Sequence, residues 1–204
     1  LGRSYYLSID PYAGAAADPR GFFDVPRLDA SVDSFFVMAY DMAYSNYYHA
    51  PTSCGRFCLG PTSPLTSYYY NDTDITAQYS SAATPGKVIL GIPYYGRKAC
   101  VANATAEFQH PIGHVASDTY MDAAGEATDP AVRPGSYVIH RDAKDPAGKM
   151  RWDTWYSTTF KCTRQLFWDD AFSLGYKYDL VHLPGLRAVG IWTPNYCGGS
   201  RELL

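Results

Sequence analysis

Four short stretches of this chain end in residues that can hydrogen-bond and stack. Ser34-Phe35-Phe36-Val37-Met38-Ala39 runs apolar and then stops at Tyr40 and Asp41, a phenol beside a carboxylate. Lys87-Val88-Ile89-Leu90-Gly91-Ile92-Pro93-Tyr94 leads into Tyr95 and Arg97. Tyr5-Tyr6-Leu7-Ser8-Ile9 stops at Asp10, and Leu186-Arg187-Ala188-Val189-Gly190-Ile191 stops at Trp192. A carboxylate only accepts, a phenol donates and accepts, and an indole offers a flat apolar face with one donor. Together they suit an amphipathic ligand such as a sugar ring, or a protein interface. The competing reading makes Tyr40 and Trp192 core residues, Asp41 a helix cap and Arg97 the partner of a carboxylate further along. One such end would favour that reading; four of the same kind favour a site.

The elements that must position these residues follow from the apolar pattern. Phe35 to Ala39 shows no polar alternation, so both faces of the strand are covered, as in a parallel sheet. In such folds the loops leaving strand C-termini carry the chemistry. Strands are expected over 5–10, 35–41, 87–97 and 186–192. Between them lie a helix start with Asp24 as N-cap and Pro26 in the first turn, a helix over 74–79 capped by Asp72 or Thr73, and a helix over 171–183 capped by Asp169-Asp170. In the last of these, Leu174, Tyr178 and Val181 recur at i, i+4 and i+7. Residues 43–70 form a long loop dense in Gly, Pro, Ser and Tyr. Residues 97–167 lack strong periodicity and carry turn dipeptides, with β-like pieces at 136–140 and 149–156, and are expected to form an inserted α+β subdomain. Alternating β and α implies a parallel sheet with right-handed crossovers. Four strands alone leave two open edges, which favours a larger closed object over an ordinary open-sheet domain.

Composition removes other classes. Of 204 residues, 47% are hydrophobic and 18% charged, enough for a sizeable core. The net charge of −3 without a basic run gives no footprint for nucleic acid or an anionic membrane. No apolar stretch approaches a membrane span of ~20 residues. Aromatic residues make up 16%, with 19 Tyr and 4 Trp, more than a few site positions require. The tyrosines at 44, 47, 48 and 68–70 read equally as packing or as sugar-stacking surfaces. The chain begins at Leu1 without an initiator methionine or signal peptide, which suggests sequence further upstream. Five cysteines, with no C-x-x-C pair, point to an oxidised, secreted protein with one or two disulfides, Cys54 with Cys58 first among them, and one thiol left over. Asn71-Asp72-Thr73 and Asn103-Ala104-Thr105 are glycosylation acceptor patterns. His110 and His114 have helical metal spacing, but Pro111 and Gly113 between them make both loop histidines. No metal and no cofactor is expected.

The strand ends resemble glycoside hydrolase family 18, the chitinase family. Met38-Ala39-Tyr40-Asp41 is similar to its M-x-Y-D on barrel strand six, and Gly91-Ile92-Pro93-Tyr94-Tyr95-Gly96-Arg97 to its G-x-P-x-Y-G-R on strand seven. Ser173-Leu174-Gly175-Tyr176-Lys177-Tyr178-Asp179-Leu180-Val181 with Gly185 to Trp192 is similar to its last crossover helix and strand eight. The resemblance implies an α/β fold, the C-terminal half (strands five to eight) of a (β/α)8 TIM barrel with an inserted subdomain after strand seven. Strands five to seven and their helices would occupy 1–96, the inserted subdomain 97–167, and the last helix and strand eight 168–204. A partner is implied too, the N-terminal half of the barrel in the same or another chain. The family's D-x-x-D-x-D-x-E signature, which supplies the general acid, is absent from these residues. The implied reaction is retaining hydrolysis of β-1,4-linked N-acetylglucosamine polymers such as chitin or peptidoglycan-like chains, assisted by the substrate's own acetamido oxygen. Tyr40 would hold that oxygen, Asp41 would accept from a sugar hydroxyl or orient the acidic cluster, and Trp192 would form the floor beneath the cleaved sugar. Tyr95, Arg97 and Asp10 would line the cleft. The alternative is a non-catalytic descendant that binds glycan or protein.

Overall fold

The computed structural model describes residues 5–182 and 184–199. In chain order its elements are β1 (Ser8–Ile9), α1 (Val25–Asp29), β2 (Ser34–Met38), α2 (Ala43–Asn46), α3 (Asp72–Ala82), β3 (Val88–Pro93), β4 (Tyr95–Val101), β5 (Ile112–Thr119), α4 (Tyr120–Gly125), β6 (Val138–Arg141), β7 (Arg151–Ser157), β8 (Cys162–Trp168), α5 (Ala171–Leu180) and β9 (Ala188–Trp192). They form two sheets. One has the order β1-β2-β3-β9 and is parallel throughout; the other has the order β5-β4-β8-β7-β6 and is antiparallel throughout.

The parallel sheet places its strand ends in line. Met38 pairs with Gly91, Pro93 with Trp192, and Tyr12 bridges to Met38 beyond the end of β1. Helices α1, α3 and α5 cover its outer side, where Val25, Phe35, Val37, Ile75, Tyr79, Leu90 and Leu174 share one core. On the other side Phe36 lies across two glycines: a Cβ on Gly91 would come within 2.6 Å of its ring, and one on Gly190 closer still. Small residues on β3 and β9 thus make room for one large ring inside the curve of the sheet.

The helix starts follow local chemistry. Asp24 caps α1, accepting from Arg27 N, with Pro26 in the first turn. Asp170 caps α5, accepting from Ser173 N. The cap of α3 is Asn71, not Asp72 or Thr73: its carbonyl oxygen accepts from Asp74 N at 2.9 Å, and its amide donates to Tyr68 O and to Asp74. This amide is buried with both its hydrogens engaged, whereas Asn103 is exposed. Helix α5 ends at Leu180, short of the expected 183, and Leu183 lies outside the described residues.

The single strand expected over 87–97 is two strands in two sheets. The chain changes sheet at Tyr94, whose backbone N–H donates to Trp192 O at 2.9 Å and whose carbonyl accepts from Tyr120 N at 2.9 Å. The approach there is close: a Cβ on Gly96 would run into the carbonyl oxygen of Phe167. From Tyr95 to Trp168 the chain then builds the antiparallel sheet, taking in both residues that flank the 97–167 segment. Strands β5 and β8 escape the sequence pattern, because the buried positions of this sheet are often polar. β8 buries Arg164 and Gln165 along with Leu166, Phe167 and Trp168, and β5 buries only Asp118, so neither shows the apolar alternation that marks a half-buried strand. His114 falls on β5, correcting its placement in a loop; His110 does lie in a loop, its Nδ1 2.9 Å from Phe57 O.

The long segment 43–70 lies over one face of the antiparallel sheet, where Leu59 and Phe57 meet Phe108, Trp152 and Phe167. It is held by polar bonds. Asp145 accepts from Leu65 N at 2.7 Å and Thr66 Oγ1 at 2.6 Å, and Tyr68 donates to Asp142 at 2.7 Å. Buried Lys177 joins α5 to Asp169 after β8 and to Asp72 at the start of α3. Disulfides join Cys54 to Cys58 and Cys100 to Cys162, leaving Cys197 free. Among the described residues no helix is long and apolar enough to cross a membrane.

Candidate functional site

Tyr40 and Asp41 follow β2 directly, and the backbone at Asp41 adopts φ +57°. Aspartate tolerates this left-handed conformation better than most residues. Here the bend coincides with a carboxylate presented to β4. Arg97 Nη2 donates to both Asp41 oxygens at 2.7 and 2.9 Å, and Nε donates to one of them at 3.1 Å. The arginine's remaining amine donates to Ser117 Oγ at 2.8 Å. So Arg97 does pair with a carboxylate, but one across the junction of the two sheets rather than inside the insertion. Such a fork fixes the orientation of both groups.

Aromatic rings adjoin this pair: Tyr44 and Tyr95 lie beside the Arg97 guanidinium, and Tyr40 links Tyr95 to Trp192. Tyr40 meets Tyr95 edge-on at 6.2 Å and lies 6.5 Å from Trp192, and Arg97 sits 5.0 Å above Tyr95. Trp192 is 52% exposed, so much of its indole faces outward. Tyr95 is only 5% exposed, enclosed by Tyr40, Arg97 and Tyr196, and buttresses the group more than it offers surface. Burial, with the charges of Asp10 and Asp41, pushes the Tyr40 hydroxyl up to about 12, so it remains a proton donor at neutral pH. Burial first and Asp41 second raise the Tyr95 phenol as well. Asp10 is exposed, close enough for its charge to act on Tyr40, and makes no side-chain hydrogen bond among the described residues.

A hollow of about 410 Å³ opens beside Tyr40 and Asp41, with Tyr12, Met42, Ser45 and Tyr70 on its walls. Sequence reasoning missed Tyr12, Met42 and Ser45, and left Tyr70 open between packing and sugar stacking. Tyr12 could have been found from its position just past Asp10-Pro11, in line with the other strand ends. The tyrosine-rich loop divides into covered and exposed rings. Tyr68 is buried on Asp142, while exposed Tyr44 stacks on Phe57 at 4.7 Å and exposed Tyr69 on His49 at 3.9 Å.

Tyr40 and Asp41 close one apolar run and Tyr95 and Arg97 follow another, and the family model for glycosyl hydrolases family 18 matches residues 2–196. The chain belongs to glycosyl hydrolase family 18. Among solved structures it resembles a family 18 chitinase from Cycas revoluta in complex with (GlcNAc)3, at 17% identity and a TM-score of 0.68, covering 94% of this chain and 52% of that one. It also resembles a group IV chitinase from Ostrinia furnacalis at 19% identity and a TM-score of 0.69, covering 92% and 50%. A third is the spore cortex-lytic enzyme SleL from Bacillus megaterium, at 17% identity and a TM-score of 0.64, covering 92% and 37%. No curated protein sequence matches the chain. At these identities the likeness is one of fold. The chain spans about half the length of the two chitinases, and its parallel sheet is a partial TIM barrel with an antiparallel sheet inserted between β3 and α5. In this family 18 chain the tyrosine, the carboxylate and the indole share one rim, as the direction of all four parallel strands requires.

Proposed function

We propose that this chain is part of a secreted glycosidase that cleaves β-1,4-linked N-acetylglucosamine polymers with the help of the substrate's acetamido group. The observation that carries the proposal is the meeting of Tyr40, Asp41 and Trp192 at one rim of a family 18 barrel. In this reading the Tyr40 hydroxyl donates to the acetamido carbonyl oxygen and holds it in line with the anomeric carbon, a positional contribution. Its raised pKa keeps the donor present through neutral pH. The exposed face of Trp192 supports the apolar face of the sugar. Asp41, oriented by Arg97, is fixed toward the ligand or toward the general acid. That acid would come from the rest of the barrel, in the same or another chain, seated against the open edges of β1 and β9. Two disulfides support an oxidising, extracellular setting.

The test compares turnover of a fluorogenic chitobioside by this chain and by the intact parent protein. The 204 residues alone should be inactive. The parent should be active, and Tyr40→Phe in the parent should lower kcat by about 100-fold while a bound oligosaccharide keeps its affinity. Turnover by the isolated chain would refute the reading. An upstream acidic signature lacking its terminal Glu, with glycan binding retained, would instead establish the binding module.

A further inference from the structure

Arg97 and Lys98 are neighbours on β4 and therefore face opposite sides of the antiparallel sheet. Arg97 faces the rim described above. On the side of Lys98 the sheet carries a second hollow, of about 580 Å³, well within the range of small-molecule sites. Cys100, Ala116, Trp155 and Arg164 form its floor; the 126–132 segment and Phe160 form its walls. The walls are pinned rather than loose: Thr158 N donates to Ala131 O at 2.7 Å, Arg133 N donates to Tyr156 O at 2.9 Å, and the Cys100–Cys162 disulfide ties two floor strands together.

Arg164 is the unusual member. It is 7% exposed, yet among the described residues its guanidinium makes no hydrogen bond and no ion pair. Its one contact of note is the face of Phe160, 4.6 Å away. Its nitrogens are not sealed but open to the hollow, and the partial burial of the side chain lowers the arginine's pKa from its ordinary value against the pull of Glu126 and Asp118. The nearest carboxylates, Asp118 and Glu126, are already claimed by Lys98. Arg97, also partly buried, shows what a satisfied guanidinium looks like in this same strand pair, with a forked carboxylate.

We propose that this hollow is a binding site for a small monocarboxylate with an apolar or aromatic body. The carboxylate takes the open fork of Arg164, the geometry that a guanidinium favours. The body lies against Phe160, Ile112 and Trp155. Asp118 and Glu126 act on Arg164 from beyond ion-pair distance, which disfavours a multiply charged anion and leaves room for a single negative charge. The site shares no lining residue with the hollow beside Tyr40 and Asp41, so its test does not depend on glycosidase activity.

The test is calorimetric titration of the protein with 3-phenylpropionate and with its neutral amide. The carboxylate should bind and the amide should bind at least about tenfold more weakly, a comparison that needs no variant. Arg164→Met should weaken carboxylate binding by about tenfold or more while melting no lower than the wild type, since it removes an uncompensated charge. Arg164→Lys should fall between the two. Equal binding of acid and amide, no binding of the acid by the wild type, or a much lower melting temperature for Arg164→Met would each overturn the proposal. The last would show the guanidinium serving the fold alone.

Discussion

The two sheets of this chain stand in opposite states of completion. In the antiparallel sheet the central strands β7 and β8 are buried along nearly their whole length, even where they carry Asp153, Thr154 and Gln165. Asp153 shows how such burial is met: Tyr137, Arg151 and Trp168 all donate to it. In the parallel sheet the end strand β9 is partly or wholly exposed at every position, and β1 has only two residues. The inserted sheet finds most of its cover within the chain, with the 43–70 segment over one face and the barrel core against part of the other, the rest of which holds the hollow floored by Arg164. The partial barrel has covered its outer side and left its edges and the Phe36 side open. A parallel strand needs neighbours on both edges and cover on both faces. The difference teaches that the inserted sheet carries its own stability, whereas the rim residues stand on a sheet whose end strands, β1 and β9, have no further strand beside them among the described residues.

Hydrogen exchange should show the contrast most strongly. Amides of β7 and β8 should exchange at least on the order of 100-fold more slowly than those of β9, and addition of the barrel's remaining half should close that gap. Uniform protection across both sheets would break the comparison. Removing the disulfide that staples the inserted sheet comes next. Cys100–Cys162 spans 62 residues and Cys54–Cys58 spans 4. Replacing the first pair by Ala should cost about 4 kcal/mol in urea unfolding and the second about 2, because the longer loop restricts the unfolded chain more. Gly96→Ala should cost about 1–3 kcal/mol, since its Cβ would meet the Phe167 carbonyl where the two sheets join. Gly125→Ala, in open space on α4, serves as the control and should be neutral or better.

The smallest effect is a pH dependence. Burial holds the Asp72 and Glu107 carboxyls up to about 7, and burial raises Asp118 too, against Lys98. Groups whose folded pKa is raised take up protons in the folded state first. Their contribution to stability is therefore greatest below the ordinary carboxylate range and declines as the pH rises toward about 7. Against the upward pull of burial, hydrogen bonds from Thr84 and Arg141 hold Asp29 and Asp170 low, and these two act in the opposite sense at lower pH. Denaturation midpoints measured between about pH 4 and pH 7 should flatten in Glu107→Gln relative to wild type. An unchanged slope would mean that Glu107 titrates normally.

The local signals in the sequence were strong where one physical rule governs a short segment. Unbroken apolar runs marked β2, β3 and β9; Asp24 and Asp170 marked the helix starts they cap; and the arrest of each run at a polar or aromatic residue singled out Tyr40, Asp41, Tyr95, Arg97 and Trp192. Tertiary structure alone decided the rest. It divided 87–97 at Tyr94, since a change of sheet depends on which strands lie alongside, not on the residues that bend. It hid β5, which is mostly exposed, and β8, whose buried Gln165 is tolerable only once the Ala106 carbonyl arrives from a separate segment. It gave Asp41 to Arg97 and, among the described residues, left Arg164 without an acceptor, because two arginines of the same type differ only in which carboxylates the folded chain brings within reach.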